Sequence, residues 1–223
     1  MKAKLIVMLT LNDQTVEDAI DVFEECKDLP IDDWGFKNVG ISLEERIRLA
    51  QLMKEAGKNT YIEDVLNEEK DMLEMAKFAA ENGINNICGR YYDSVNKYIK
   101  DKNIKYFVSS TMSFGCPVML RGSVDEIVKQ LKSYEQKGVE GFCIGAYRHE
   151  SSPEELIQGM VRELNGKIMI AGSIDSKERM TYVNDAGCFG FTMGSAIFNS
   201  KYLPNGNFRE NLIEVLKMME EIE

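Results

Sequence analysis

The sequence predicts an α/β fold, a single (β/α)8 barrel over residues 1–223, and three features predict it. An amphipathic helical stretch that stops at glycine and is followed by a short apolar or β-branched run recurs along the whole chain. Helix starts are marked by Ser or Thr with an acid three residues later. Eight such units follow one another with no linker and no low-complexity stretch. The length of 223 residues, 44% hydrophobic and 29% charged, allows a core without disulfides or a structural metal.

The glycine stops are Gly57 before Thr60 to Ile62, Gly83 before Ile84 to Cys88, Gly138 before Val139 to Ile144, and Gly187 before Cys188 to Thr192. Glycine just past a helix adopts the left-handed conformation that turns the chain back toward the next strand. The helix starts are Thr15 with Asp18, Ser42 with Glu45, Ser123 with Glu126, and Ser152 with Glu155. In each the hydroxyl accepts from a free amide of the first turn and the acid complements the helix dipole. Pro153 stands where a first-turn proline costs no hydrogen bond.

The strands then fall near Leu5–Leu11, Trp34–Lys37, Thr60–Asp64, Asn86–Arg90, Lys105–Ser110, Gly141–Tyr147, Lys167–Ala171 and Gly190–Met193, with a closing helix from Phe208 to about Glu221. Near-continuous apolar runs such as Leu5 to Leu9 and Ile168 to Ala171 suit parallel strands covered on both faces. Eight parallel strands surrounded by helices make a TIM barrel. The structural alternative is a doubly wound open sheet. It lacks its usual signature, because Leu11-Asn12-Asp13-Gln14-Thr15, and no Gly-x-Gly-x-x-Gly, follows the first strand.

Charge and cysteine content narrow the function. Twenty-seven basic against 37 acidic residues leave a formal net charge of −10, spread along the chain, which disfavours nucleic acid as a partner. A small phosphorylated metabolite is compatible, since a few backbone amides hold a phosphate whatever the net charge. The five cysteines, Cys26, Cys88, Cys116, Cys143 and Cys188, form no C-x-x-C pair, and the N-terminal apolar run is too short to span a membrane. We expect a cytoplasmic protein with reduced thiols, no membrane association and no cofactor. His149 is the only histidine, which excludes a metal site built on several imidazoles.

In a barrel the chemistry lies at the C-terminal ends of the strands. Those ends carry Asn12 and Asp13, Lys37 and Asn38, Glu63 and Asp64, Arg90 and Tyr91, Ser109 to Thr111, Arg148 and His149, Ser173 and Asp175, and Gly194 and Ser195. Strand ends are also wet, so polarity alone does not distinguish a site from a solvated rim. The last two units are more specific. Strand 7 ends in Ala171-Gly172-Ser173-Ile174-Asp175 and strand 8 in Met193-Gly194-Ser195-Ala196-Ile197-Phe198. Two glycine turns on adjacent strands let amides approach one anion, although each glycine also serves a tight turn in its own right.

Through these two motifs and its βα rhythm the chain resembles the ribulose-phosphate-binding barrel superfamily, which includes sugar-phosphate epimerases and histidine-biosynthesis isomerases. The resemblance covers the fold over nearly the whole chain, but its motifs cover only about a dozen residues. It implies that Gly172, Ser173, Gly194 and Ser195 bind a substrate phosphate. It does not carry a reaction type, because strand 1 ends without an assignable acid–base pattern and the His/Asp metal set of a pentulose-phosphate epimerase is missing.

Among the other rim residues, Lys37 is a candidate general base or Schiff-base nucleophile, or a permanently charged partner of Glu63. Glu63, rather than Asp64, is expected to face the lumen and to share proton transfer with Lys37. Arg90, Arg148 and Asn12 are candidates for substrate binding, the two arginines for a carboxylate or second phosphate, or else they pair with surface acids such as Asp93 and Glu150. Cys88 and Cys143 read as small core residues. The long connection from Thr111 to Gly122 is a candidate lid, or a dimer contact through Phe114, Pro117, Val118, Met119 and Leu120.

Two functional readings follow. One is a metal-independent lyase, isomerase or epimerase acting on a small phosphorylated carbonyl compound or sugar phosphate, with a Schiff-base aldolase using Lys37 as a variant. The other is a non-catalytic sensor of a phosphorylated metabolite. The acid–base pair and two arginines favour catalysis, since a sensor needs no proton transfer.

Overall fold

Alternation along each strand decides how this chain closes. In the computed structural model, which describes residues 2–114 and 118–222, eight parallel strands form a closed barrel in sequence order. They are β1 (Lys4–Met8), β2 (Asp33–Lys37), β3 (Asn59–Glu63), β4 (Asn86–Arg90), β5 (Lys105–Ser109), β6 (Gly141–Ile144), β7 (Lys167–Ile170) and β8 (Gly190–Met193). Closure runs from Lys4↔Gly190 to Val7↔Met193, so the sheet has no open edge, and the doubly wound alternative is set aside.

One side of each strand fills the lumen. Ile6, Met8, Tyr61, Cys88, Phe107, Cys143 and Met169 form that inner core. The other side packs under the helices, with Val7, Trp34, Phe36, Ile62, Val108 and Phe191 almost wholly buried. Burial on both sides is the physical reason for the continuous apolar runs, each large buried side chain contributing roughly 1.5–3 kcal/mol. At the N-terminal end the lumen is closed by a polar plug: Asp33 accepts from the Tyr61 hydroxyl at 3.1 Å and from Lys4 at 3.2 Å, and also from Asn59.

Outside lie α1 (Ala19–Cys26), α2 (Leu43–Glu55), α3 (Glu69–Asn82), α4 (Asp93–Ile99), α5 (Val124–Glu135), α6 (Pro153–Glu163), α7 (Lys177–Asp185), the single turn α8 (Ser195–Phe198) and α9 (Phe208–Glu220). None of the described helices is long and apolar enough to cross a membrane. The four glycine stops have φ between 70° and 83°, the left-handed values the turns require.

The helix starts divide. Ser42 and Ser123 form full capping boxes with Glu45 and Glu126. Ser152 makes no side-chain capping bond, and Pro153 opens α6 there. Thr15 caps nothing: α1 begins four residues later, and the Thr15 hydroxyl is engaged by β2 instead. Two starts unread in the sequence are Asn207, boxed with Glu210, and Ser176, which accepts from the Arg179 amide. Two strands end well before the expected residue. β1 ends at Met8, because Thr10–Leu11 pairs with Gln14–Thr15 in a separate hairpin, and β6 ends at Ile144, because Ala146–Arg148 winds into a 3-10 turn.

The two boxes and the bare Ser152 make a controlled comparison. Ser42→Ala and Ser123→Ala are each expected to lower unfolding free energy by about 1 kcal/mol, and Ser152→Ala by a few tenths at most. Urea denaturation of the three variants checks this, and equal losses at all three sites would contradict the assignment.

Candidate active site at the barrel mouth

The first βα connection builds half of the mouth. Residues Thr10–Leu11 and Gln14–Thr15 form a two-residue hairpin whose turn, Asn12-Asp13, has φ of 51° and 60°. Both central residues are left-handed, which is the primed turn that Asn and Asp tolerate best after glycine. Thr15 fastens this hairpin to β2, its hydroxyl donating to Lys37 O and accepting from Lys37 N, both at 2.9 Å. The turn thereby brings Asp13 Oδ1 within 2.6 Å of Lys37 Nζ.

Lys37 and Glu63 are partners in the β2–β3 register, and Glu63 Oε2 lies 3.5 Å from the same ammonium. Glu63 is therefore the inward member of its pair. Asp64 points to the other side, where it accepts from Asn38 Nδ2 at 2.6 Å and from the Asn67 amide at 2.9 Å. Only 7% of Lys37 is exposed, so its charge depends on these carboxylates.

Burial opposes ionisation of both Lys37 and Asp13, and pairing outweighs it. Burial lowers the Lys37 pKa, but Glu63 and Asp13 together hold it above the ordinary lysine value. Burial raises Asp13, but Lys37, with help from Arg148, holds it below the ordinary carboxyl value. At neutral pH the site is a charged lysine between two carboxylates. That is the opposite of the neutral amine an imine requires.

The other half of the mouth comes from β6 to β8. The 3-10 turn after β6 sends Arg148 across the end of β7, where its Nε donates to Ser173 Oγ at 3.3 Å and Nη1 lies 4.0 Å from Asp13 Oδ2. Gly172, with φ of 67°, lies directly beneath, and a Cβ there would sit 2.9 Å from Arg148 Nη2. The Gly172 amide donates to Thr192 Oγ1 at 3.1 Å, tying the strand 7 turn to β8. Gly194 packs against the end of β1, where a Cβ would stand 2.7 Å from both Met8 O and Thr10 O. Its glycine is thus demanded by packing. The amides of Ser173, Ser195 and Ala196 have no acceptor among the described residues.

The connection from Thr111 to Gly122 is also a hairpin, Ser113–Phe114 pairing with Met119–Leu120. Gly115, Cys116 and Pro117 lie outside the described residues. His149 anchors it rather than lining the mouth. Its Nδ1 accepts from the Ser152 amide at 3.0 Å, which leaves the proton on Nε2, donating to Gly122 O at 2.8 Å. Arg121 adds a bond to Glu150 at 3.0 Å and lies 4.0 Å over the Phe114 ring.

The structure thus brings together Lys37, Glu63, Arg148, Gly172 and Ser173, and places Gly194 and Ser195 on the adjacent strand end. Asn12 is exposed at its turn, and its neighbour Asp13 reaches the site instead. Arg90 ends β4 on the far side of the mouth, apart from the Arg148 cluster. Asp13 and Thr15 were the functional positions least visible beforehand. The signal for them was Asn12-Asp13 flanked by Thr10-Leu11 and Gln14-Thr15, a hairpin signature. Cys26, Cys88, Cys143 and Cys188 are buried. A groove of about 940 Å³ lies between the N-terminal ends of α6 and α7, lined by residues including Tyr147, Glu154, Arg179 and Tyr182. Its Arg179 also donates to Ser173 O, at the edge of the mouth. Among the described residues no group of three His, Cys, Asp or Glu is arranged to hold a metal ion.

No protein-family model matches the chain, and no curated protein matches it. Among solved structures, orotidine 5'-phosphate decarboxylase from Pyrococcus horikoshii OT3 is similar, with a TM-score of 0.71 and 18% identity over 98% of each chain. Tryptophan synthase from M. tuberculosis, in its open form, has a TM-score of 0.69 and 11% identity, covering 99% of this chain and 93% of that one. The tryptophan synthase a2b2 complex of Pyrococcus furiosus gives 0.69 and 12%, covering 99% and 98%. At such identities the likeness is one of fold, and it agrees with the expected (β/α)8 barrel.

The pairing at the mouth has a pH signature. Asp13, whose folded pKa is lowered, contributes stability above about pH 4 that fades as pH falls through its folded value. Lys37, whose folded pKa is raised, contributes below about pH 10.4 and loses this as pH rises through its folded value. Asp13→Asn is expected to cost about 2 kcal/mol at pH 7. That is less than for a fully buried pair, because Asp13 is partly exposed and Glu63 remains. Urea denaturation from pH 2 to 8 should show this gap closing in acid, and a pH-independent gap would contradict the pairing.

Proposed function

We propose that this barrel is an enzyme, a lyase, isomerase or epimerase, acting on a small phosphorylated carbonyl compound without a metal. The observation that carries the reading is the mouth itself, where a buried ammonium clamped by two carboxylates faces a guanidinium poised over a glycine turn with unengaged amides. The phosphate is assigned to the amides of Ser173, Ser195 and Ala196 at the Gly172 and Gly194 turns, with Arg148 as the neutralising cation.

With the phosphate there, the carbon skeleton extends over β1 to β3 toward Lys37. Glu63 takes the proton alpha to the carbonyl, or Lys37 delivers one to a carbanion, and the ammonium stabilises the charge that develops on oxygen. Asp13 keeps Lys37 protonated and oriented, so it is a positioning residue. Asn12, at the outer edge of the same turn, is assigned to the substrate's exposed end. Non-catalytic metabolite sensing would use the same phosphate contacts and leave the Lys37 cluster idle.

Deuterium incorporation from solvent into a panel of sugar phosphates and phospho-ketones tests the proposal. Exchange is expected for at least one member. Lys37→Met and Glu63→Gln should each slow it by roughly 10²-fold or more. Arg148→Met is expected to raise KM for phosphorylated compounds. Borohydride in the presence of phospho-aldehydes should leave Lys37 unmodified. An adduct on Lys37 would restore the imine route, and failure of every compound to exchange would favour sensing.

A further inference from the structure

Arg90 is the cation of the mouth that the proposed chemistry does not use. It is in register with Ser109 of β5 and lies on the same side of β4 as Cys88, a member of the lumen core, so it belongs to the inner set at the C-terminal end. In a closed barrel of eight strands in sequence order, β4 stands four strands from β8 in either direction. Arg90 is therefore on the opposite wall from the Gly194 turn.

Its electrostatic state sets it apart. Lys37 and Arg148 both have carboxylate and hydrogen-bond partners. Arg90 Nε is buried without a hydrogen-bond partner, and its guanidinium forms no ion pair among the described residues. Among the described residues the other such atom, Arg46 Nε, belongs to a guanidinium already bound to Asn38 O at 3.0 Å and lying over Phe78. The acids at the neighbouring strand ends are committed elsewhere: Glu63 to Lys37, Asp64 to Asn38 and Asn67, and Asp93, just after β4, to Tyr91. The alternative reading, a surface pair of Arg90 with Asp93, is not found among the described residues, where Asp93 pairs with Lys137 and Tyr91.

We infer that the substrate carries a carboxylate at the end opposite its phosphate, and that Arg90 binds it side-on. This rests on the proposed phosphate site and adds the second anchor. A carboxylate oxygen is the acceptor that satisfies a buried Nε, with its second oxygen on an Nη. A second phosphate fits less well. One guanidinium does not neutralise a dianion, no glycine turn follows β4, and Glu63 and Asp64 on the neighbouring strand end add negative charge. The substrate class is a phosphorylated carboxylic acid long enough to bridge the mouth, with its reacting carbon over Lys37 and Glu63.

Titration calorimetry with methyl phosphate and a homologous series of ω-phospho-carboxylates, from phosphoglycolate upward in chain length, tests this. One length in the series is expected to bind at least tenfold more tightly than methyl phosphate. Arg90→Met should abolish that gain and leave methyl phosphate affinity within twofold. Arg90→Lys, which keeps the charge and loses the fork, should retain only part of it, and it serves alone if the methionine variant does not fold. If methyl phosphate binds but no carboxylate improves on it, or the Arg90 variants weaken all ligands equally, the inference is overturned and the phosphate site stands. If neither methyl phosphate nor any member of the series binds the wild-type protein, both fall.

Discussion

A lysine ammonium that is almost wholly buried exists in this protein only because two carboxylates are delivered to it from different elements. Glu63 comes from the adjacent strand by register, and Asp13 comes from a hairpin that leaves the barrel after Met8 and folds back over its rim. Without them burial would discharge the lysine or exclude it from the mouth. Thr15 makes the arrangement rigid by bonding both backbone groups of Lys37, so the loop that supplies the counter-charge also fixes the residue it neutralises.

The mouth is accordingly asymmetric. On β1 to β3 the charges are satisfied within the protein, which suits groups that must keep a defined protonation state. On β6 to β8 the donors are directed outward: Arg148 crosses a turn in which Gly172 leaves room for it, and nearby amides stay unengaged. Arg90 adds unmatched positive character on the wall between. Strands, which carry the core, determine where each group starts. The connections, which carry little of it, determine where each group ends.

This division explains what could be read beforehand. The barrel was legible because glycine stops, helix-start signals and two-sided apolar strands recur along the chain, and repetition makes each weak signal reinforce the next. Lys37 with Glu63 was legible because both lie on strands, where alternation and register are regular. Asp13 was not, because a two-residue turn reorients a side chain by an amount that no period describes, and Asn12 was the natural choice from position alone. Thr15 was misread for a related reason: a Thr followed by an acid three residues later looks like a cap whether or not a helix follows, and here tertiary pairing with β2 claims the hydroxyl. His149 likewise sits at a rim position and yet serves the hairpin beyond β5.

The Asn12-Asp13 turn has an evolutionary implication. Its carboxylate is mounted on an appendage held to the scaffold chiefly through Thr15, so loop length and composition there are free to drift without disturbing strand register or interior volume. Changing two or three residues would exchange one counter-ion for another group above the same ammonium. A protein organised in this way can acquire a different reaction while inheriting its architecture intact.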